Sequence, residues 1–237
     1  MFTGIRKQGR IVGLRKGSLA KRLSTHFRRG RDHQLRSLIE RIARDKAGVR
    51  ILDMGGSAPY WLRVGVDFLR AHHCHVTILN LHASELGGEQ YPADIFALAV
   101  GDACDMPQYR DDSFDLSHSN SVVEHLLTWP SMKKFATETR RVAASYYVQT
   151  PNFWFPIDPH YYGLPFFHWL PRPTRASLFH RFSIAQGGRA PDWDHAFDPI
   201  DKSRLLDRRQ MQTLFPDGHL TVERLAGLGK SLIMTRG

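Results

Sequence analysis

At 237 residues the chain has room for one α/β domain with an extension, and a second full domain is excluded. Its 42% hydrophobic and 24% charged content excludes a wholly disordered protein. No apolar run approaches the ~18 residues of a membrane span, and two cysteines, Cys74 and Cys104, make no disulfide framework. With a basic N-terminus lacking the apolar stretch of a signal peptide, the expectation is a cytoplasmic protein, with contact at a membrane surface left open. The net charge of +10 is uneven: residues 1–50 carry 15 of the 33 Lys and Arg against Asp32, Glu40 and Asp45, so the remainder sums to −2. This divides the chain into a basic arm, 1–31, and a near-neutral domain, 32–237.

From Asp32, Leu35, Leu38, Ile39, Ile42 and Ala43 recur at helical spacing, and Gly48 follows as a stop. Val49–Asp53 reads as a strand that ends in Met54-Gly55-Gly56-Ser57, and Tyr60–Ala71 as the helix after it. Further strands are expected at Val76–Leu81, within Ala93–Val100, at Ser113–Ser119 and at Tyr146–Thr150, with a helical stretch Val122–Ala143 broken at Trp129-Pro130. Strands alternating with helices imply a parallel sheet with right-handed crossovers. Residues 151–204, rich in Pro and aromatics, interrupt this rhythm and read as an insertion. A helix over Leu205–Phe215 and strands His219–Leu225 and Ser231–Arg236 follow; their short connection through Gly227 and Gly229 makes the last pair antiparallel.

A Gly-rich turn after a first buried strand admits a ligand close to the backbone. Asp53 before that turn disfavours a phosphate and suits a ligand with a cationic group. The order of this turn with Val76–Leu81, Gly101-Asp102-Ala103, Ser113-Phe114-Asp115-Leu116 and Val122-Val123-Glu124-His125 resembles the class I S-adenosylmethionine-dependent methyltransferases. The likeness is strongest to bacterial small-molecule enzymes of the type 11 kind; it covers residues 49–150 and the C-terminal strands. It implies a Rossmann-like α/β fold with a seven-stranded, mostly parallel sheet whose last strand is antiparallel. It implies S-adenosylmethionine as cofactor, with Asp53, Gly55, Gly56 and Ser57 at its methionine end. Asn80 would face its ribose, Asp102 and Ala103 its adenine, and Asn120 and Ser121 would lie under the sulfonium, with Leu81 a further cofactor contact. Ser57 and Pro59 stand where glycines are usual and Asn80 where an acid usually takes both ribose hydroxyls, so binding is expected to be retained at lower affinity.

Methyl transfer from a sulfonium mainly demands alignment and exclusion of water; a base is needed for a hydroxyl or a protonated amine. His160 with Asp158, just past the fifth strand, is the candidate catalytic pair, and Tyr161, Trp154 and His125 are candidate substrate contacts. The aromatics of 151–204 serve either as a lid or as that segment's own core. Phe166–Pro171 with Arg172 and Arg175 has the makings of a membrane-touching surface. His72-His73-Cys74-His75 straddles a helix-to-strand junction where neighbouring side chains diverge, so no metal site is expected. The reading is methyl transfer to a small-molecule, glycan or lipid-linked acceptor, at oxygen, with the arm available to an anionic membrane or nucleic acid. The alternatives are an RNA methyltransferase that uses the arm, and a non-catalytic binding module with this fold. The acceptor and the oligomeric state are not legible.

Overall fold

The computed structural model describes residues 18–86, 91–161, 164–182 and 189–237. Residues 1–17 of the basic arm lie outside them. The first helix, α1, spans Ser18–Ala43, so it begins well before Asp32. Leu35, Leu38 and Ile39 are buried against the sheet, and from this anchored segment the Arg-, Lys- and Leu-rich turns upstream continue as helix at little cost per residue.

The remaining elements are β1 (Val49–Met54), α2 (Ala58–Ala71), β2 (Cys74–Asn80), β3 (Phe96–Val100), β4 (Phe114–Asn120), α3 (Trp129–Arg141), β5 (Ala143–Pro151), α4 (Arg172–Arg181), α5 (Trp193–Asp201), α6 (Arg208–Leu214), β6 (His219–Leu225) and β7 (Leu228–Arg236). The helical stretch expected from Val122 is instead a single 3-10 turn, Val123–Leu126, followed by α3. Thr128 caps α3, its hydroxyl accepting from Ser131 N, and Pro130 fits the first turn, where its missing N–H costs nothing.

The strands form one seven-stranded sheet in the order β3-β2-β1-β4-β5-β7-β6. Pairing is parallel from β3 to β5, and β7 runs antiparallel to both β5 and β6. Side chains of β1 alternate between two cores: Val49 and Ile51 join α1 and α2 on one face, Leu52 and Met54 join α3 and α6 on the other. A strand buried on both faces reads as a continuous apolar run, which is why β1 was visible in the sequence. The order reverses between β1 and β4, so their carboxyl ends open a crevice.

Residues 151–204 build a third small core from Tyr161, Phe167, Phe179 and Ile200, while Trp154, Phe166, Phe182 and Trp193 are exposed. The reading of these aromatics as the segment's own core therefore holds for Tyr161, Phe167 and Phe179. Among the described residues, no helix is long and apolar enough to cross a membrane.

Candidate functional site

The turn after β1 is held from beneath. Asp53 is fully buried; its Oδ2 accepts from Trp61 Nε1 at 2.6 Å, and its Oδ1 lies 2.6 Å from His118 Nδ1. The contact to His118 follows from the register, which sets Asp53 beside His118 across the parallel pair β1 and β4. His118 Nε2 pairs with the Tyr60 hydroxyl at 3.2 Å, and burial raises that phenol well above its ordinary value, so it stays the donor. A Cβ on Gly56 would lie 1.6 Å from Asp53 Oδ2; the glycine is required because the carboxylate fills that space. Gly55 is left-handed (φ +72) with a would-be Cβ 2.7 Å from Val122 Cγ2. Asp53 thus does not face the crevice as a partner for a ligand's cationic group, the first correction to the sequence reading. It braces the turn instead, a role its partners Trp61, Tyr60 and His118 gave no local sequence signal for.

Asn80, read as a ribose contact through its amide oxygen, also makes a structural bond through its amide nitrogen. Its Nδ2 donates to Gly56 O at 2.9 Å, tying the end of β2 to the same turn. The amide stands where an acid was expected because a carboxylate would meet that carbonyl oxygen with no donor. Ser57, exposed at the N-cap of α2, makes no side-chain capping bond. Beyond β2 and β3, Leu81 exposes 55% of its surface. Asp102 is exposed beside half-buried Ala103, its Oδ1 accepting from Cys104 N at 2.8 Å.

At the end of β4, Asn120 Oδ1 is buried without a hydrogen bond. Ser121 adopts a left-handed conformation (φ 59), its hydroxyl donating to Gln149 Oε1 at 3.1 Å. An apolar face at Leu81, a carboxylate oxygen at Asp102 and an orphaned acceptor at Asn120 suit the adenine ring, its amine and the N–H-bearing, cationic end of S-adenosylmethionine respectively. The crevice therefore fits that cofactor.

The acceptor side is assembled from three segments. The turn after β4 contributes Glu124 and His125, the loop after β5 contributes Asp158 and His160, and the return from α5 contributes the Lys202 carbonyl, Ser203 and Arg204. Arg204 N donates to Glu124 O at 2.7 Å, fastening the return segment to the β4 turn. Glu124 is fully buried; Oε2 accepts from the Thr150 hydroxyl at 2.9 Å, and Oε1 has no partner. Burial raises its pKa, outweighing its hydrogen bonds.

His160 Nδ1 lies 2.7 Å from Oδ1 of buried Asp158, which also accepts from the His160 backbone N–H. Burial alone would lower the His160 pKa, but Asp158 and the charge of Glu124 outweigh it and leave the value raised. His125 Nδ1 meets the Lys202 carbonyl at 2.7 Å, and its ring packs edge-on against His160 at 5.0 Å between centroids. The structure thus joins His125 to the expected pair and adds Glu124. One ligand atom each from Glu124, His125 and His160 lies within 4.8 Å of the others. Among the described residues, metal-capable side chains converge here and not at His72–His75.

Beside this cluster lies a cavity of about 290 Å³ lined by Trp154, Asp158, Tyr161, His168, Arg175 and Ser203, among others. Trp154 is exposed at its rim, whereas Tyr161 is almost wholly buried in the insertion's core, its hydroxyl accepting from Arg175 Nη1 at 3.2 Å. Three polar atoms of the lining residues are buried without partners: His168 Nδ1, Arg175 Nε and Ser203 Oγ.

Comparison with known proteins bears on the crevice. A family model for a methyltransferase domain matches residues 61–145, from α2 to the start of β5. No curated protein matches the chain. Among solved structures it is similar to a possible exported protein from Bordetella parapertussis (15% identity, TM-score 0.54, 92% of this chain and 68% of that one). It is also similar to a protein described as a Zn-dependent alcohol dehydrogenase from Rhodobacter sphaeroides (10% identity, TM-score 0.50, 79% and 83%). These likenesses establish the fold alone. A SAM-dependent methyltransferase from Methanosarcina mazei aligns at 13% identity and a TM-score of 0.46 over 80% of this chain and 92% of that one. By the family match, residues 61–145 form a methyltransferase domain, and the crevice at the carboxyl ends of its strands has a donor set that suits S-adenosylmethionine.

Proposed function

We propose that this enzyme methylates a hydroxyl oxygen of a small polar acceptor, or of the polar head of a glycan- or lipid-linked one, bound in the cavity beyond β5. The observation that carries this reading is the set of three orphaned polar atoms, His168 Nδ1, Arg175 Nε and Ser203 Oγ, on residues lining one cavity of about 290 Å³. Buried polar groups are ordinarily paired, and unpaired ones cost about 1–3 kcal/mol each; Arg175 Nε needs an acceptor and His168 Nδ1, whose Nε2–H donates to Phe153 O, needs a donor, so a ligand bearing hydroxyls suits the set. A cavity of this size lies at the small end of ligand sites, and Arg175 and Arg204 along it favour an acceptor with a carboxylate or phosphate.

Asp102, Leu81 and Asn120 would hold the cofactor, which when bound supplies an electrophilic methyl group on a sulfonium. The chain's own residues then orient the acceptor and exclude water. Asp53 and Asn80 keep the β1 turn in place, the insertion covers the acceptor, and His160, its ring held by Asp158, is the group beside the acceptor oxygen. A hydroxyl must shed its proton as it is alkylated, and a cluster of two imidazoles and a carboxylate at the acceptor end supports oxygen as the atom modified.

Incubating the protein with methyl-labelled S-adenosylmethionine and a cell extract, then separating small-molecule, glycan, lipid and RNA fractions, tests this. Label is expected in a base-stable methyl ether outside the RNA fraction. Label confined to RNA, or to amines, overturns the acceptor reading. With the acceptor in hand, His160→Ala should lower turnover by about 10² to 10⁴ with little change in cofactor affinity; near-normal turnover in the folded variant removes His160 from the chemistry.

A further inference from the structure

We propose that Glu124, His125 and His160 bind a divalent transition-metal cation, of the Zn²⁺ or Mn²⁺ class, at the acceptor end of the crevice. Two imidazole nitrogens and one carboxylate oxygen within 4.8 Å of one another form the donor set of catalytic sites that leave coordination positions open for water or substrate. The second imidazole nitrogen is already fixed in each histidine: His160 Nδ1 by Asp158 and His125 Nδ1 by the Lys202 carbonyl, both at 2.7 Å. Each acceptor is a carboxylate or backbone oxygen. Each therefore holds the proton on Nδ1, leaves the Nε2 lone pair free, and orients the ring as outer-shell partners of metal-bound histidines do.

Glu124 supplies the independent observation. It is fully buried, Thr150 satisfies one oxygen, and Oε1 is left without a partner. A fully buried carboxylate oxygen with nothing to accept is costly unless it has a cationic ligand. Bonds of about 2.0–2.2 Å to each donor place ligand atoms roughly 3–4 Å apart, so small side-chain rotations close the site. His125 is exposed and His160 half-buried, which leaves a path for a cation to enter.

This deepens the hydroxyl-methylation reading and rests on it for what the cation does; cation binding itself rests on the geometry. An acceptor hydroxyl at an open coordination position loses its proton to water more readily, as water bound to a cation does. Its oxygen lone pair then forms the O–CH₃ bond while the S–CH₃ bond breaks with its electron pair remaining on sulfur. The sulfonium becomes a neutral thioether and one proton is released. On this account His160 acts as a ligand, and Asp158 as the residue that positions it.

The full chain, stripped with a chelator, is titrated with ZnCl₂, MnCl₂ and MgCl₂ by calorimetry. One Zn²⁺ or Mn²⁺ per chain is expected, bound at least tenfold more tightly than Mg²⁺, since imidazole donors suit the softer ions. Affinity should fall at least tenfold in His125→Ala and in Glu124→Gln, and stay unchanged in a His73→Ala/His75→Ala control. Either cation should raise the melting temperature of the native chain and not that of His125→Ala, whose side chain is exposed and whose fold should survive. No saturable binding, or binding indifferent to both substitutions, overturns the proposal. Full methyl transfer after chelation with no cation bound overturns it too, and leaves the methyltransferase reading standing. Stoichiometric binding in a protein that labels no hydroxyl acceptor supports the cation site and removes the oxygen-acceptor reading instead.

Discussion

Two turns lie side by side at the carboxyl ends of β1 and β4, and they solve the burial of polar groups in opposite ways. Around the β1 turn, Asp53, Trp61, His118 and Tyr60 satisfy one another, and Asn80 closes the set through Gly56. Around the β4 turn, Asn120 Oδ1 and Glu124 Oε1 are buried with no partner. A closed network is scaffold; its energy is realised in the folded chain alone. An open one is incomplete until a ligand arrives, and the orphaned atoms mark where ligands belong.

The largest expected effect breaks the closed side. Asp53→Ala leaves two buried donors, Trp61 Nε1 and His118 Nδ1, without acceptors, and should destabilise the fold by about 2–6 kcal/mol in urea denaturation, at roughly 1–3 kcal/mol for each unsatisfied group. Glu124→Gln should stay within about 1 kcal/mol of the native protein, because Thr150 still finds an amide oxygen and nothing else loses a partner. Equal losses in the two variants would erase the distinction between the turns.

A ligand-facing residue should show the reverse pattern. Asp102→Ala should weaken S-adenosylmethionine binding by about 1.5–3 kcal/mol, the range for a hydrogen bond to a charged group, with an unchanged melting temperature. A folded variant with native affinity by calorimetry would mean that the adenine amine is not held there.

The smallest effect sharpens the line between scaffold and ligand contact at Asn80. Asn80→Asp removes the donor to Gly56 O and brings two acceptors together. It should loosen the turn and weaken cofactor binding by roughly 1 kcal/mol, the net worth of one hydrogen bond. The resemblance by itself predicts the opposite sign, since it restores an acid for the ribose. Tighter binding would make Asn80 a ribose contact and not a brace.

Much of the molecule was legible because its signals are local. Strand-length apolar runs such as Ile51-Leu52, the Gly55-Gly56 turn and the alternation of strand and helix depend on residues adjacent in the chain. So did the pairing of His160 with Asp158, two residues apart in one turn. The start of α1 was not legible, since upstream polar turns become helical only by extension from a docked segment. Nor was Asn80's role, which depends on where Gly56 O comes to lie.

What the sequence by itself determined is the mostly parallel sheet with its antiparallel end, along with the residue types arrayed at the strand ends; the strand order, and the crevice where it reverses, came from the structure. Which of those residues face the crevice and which lie beneath it was decided by tertiary structure. Asp53 reaches His118 across 65 positions through the β1–β4 register, and His125 meets Lys202 O across 77. The physical reason is that a side chain's role depends on whether its polar atoms are already satisfied. Partners that fold in from distant segments leave no spacing or periodicity in the chain to announce them.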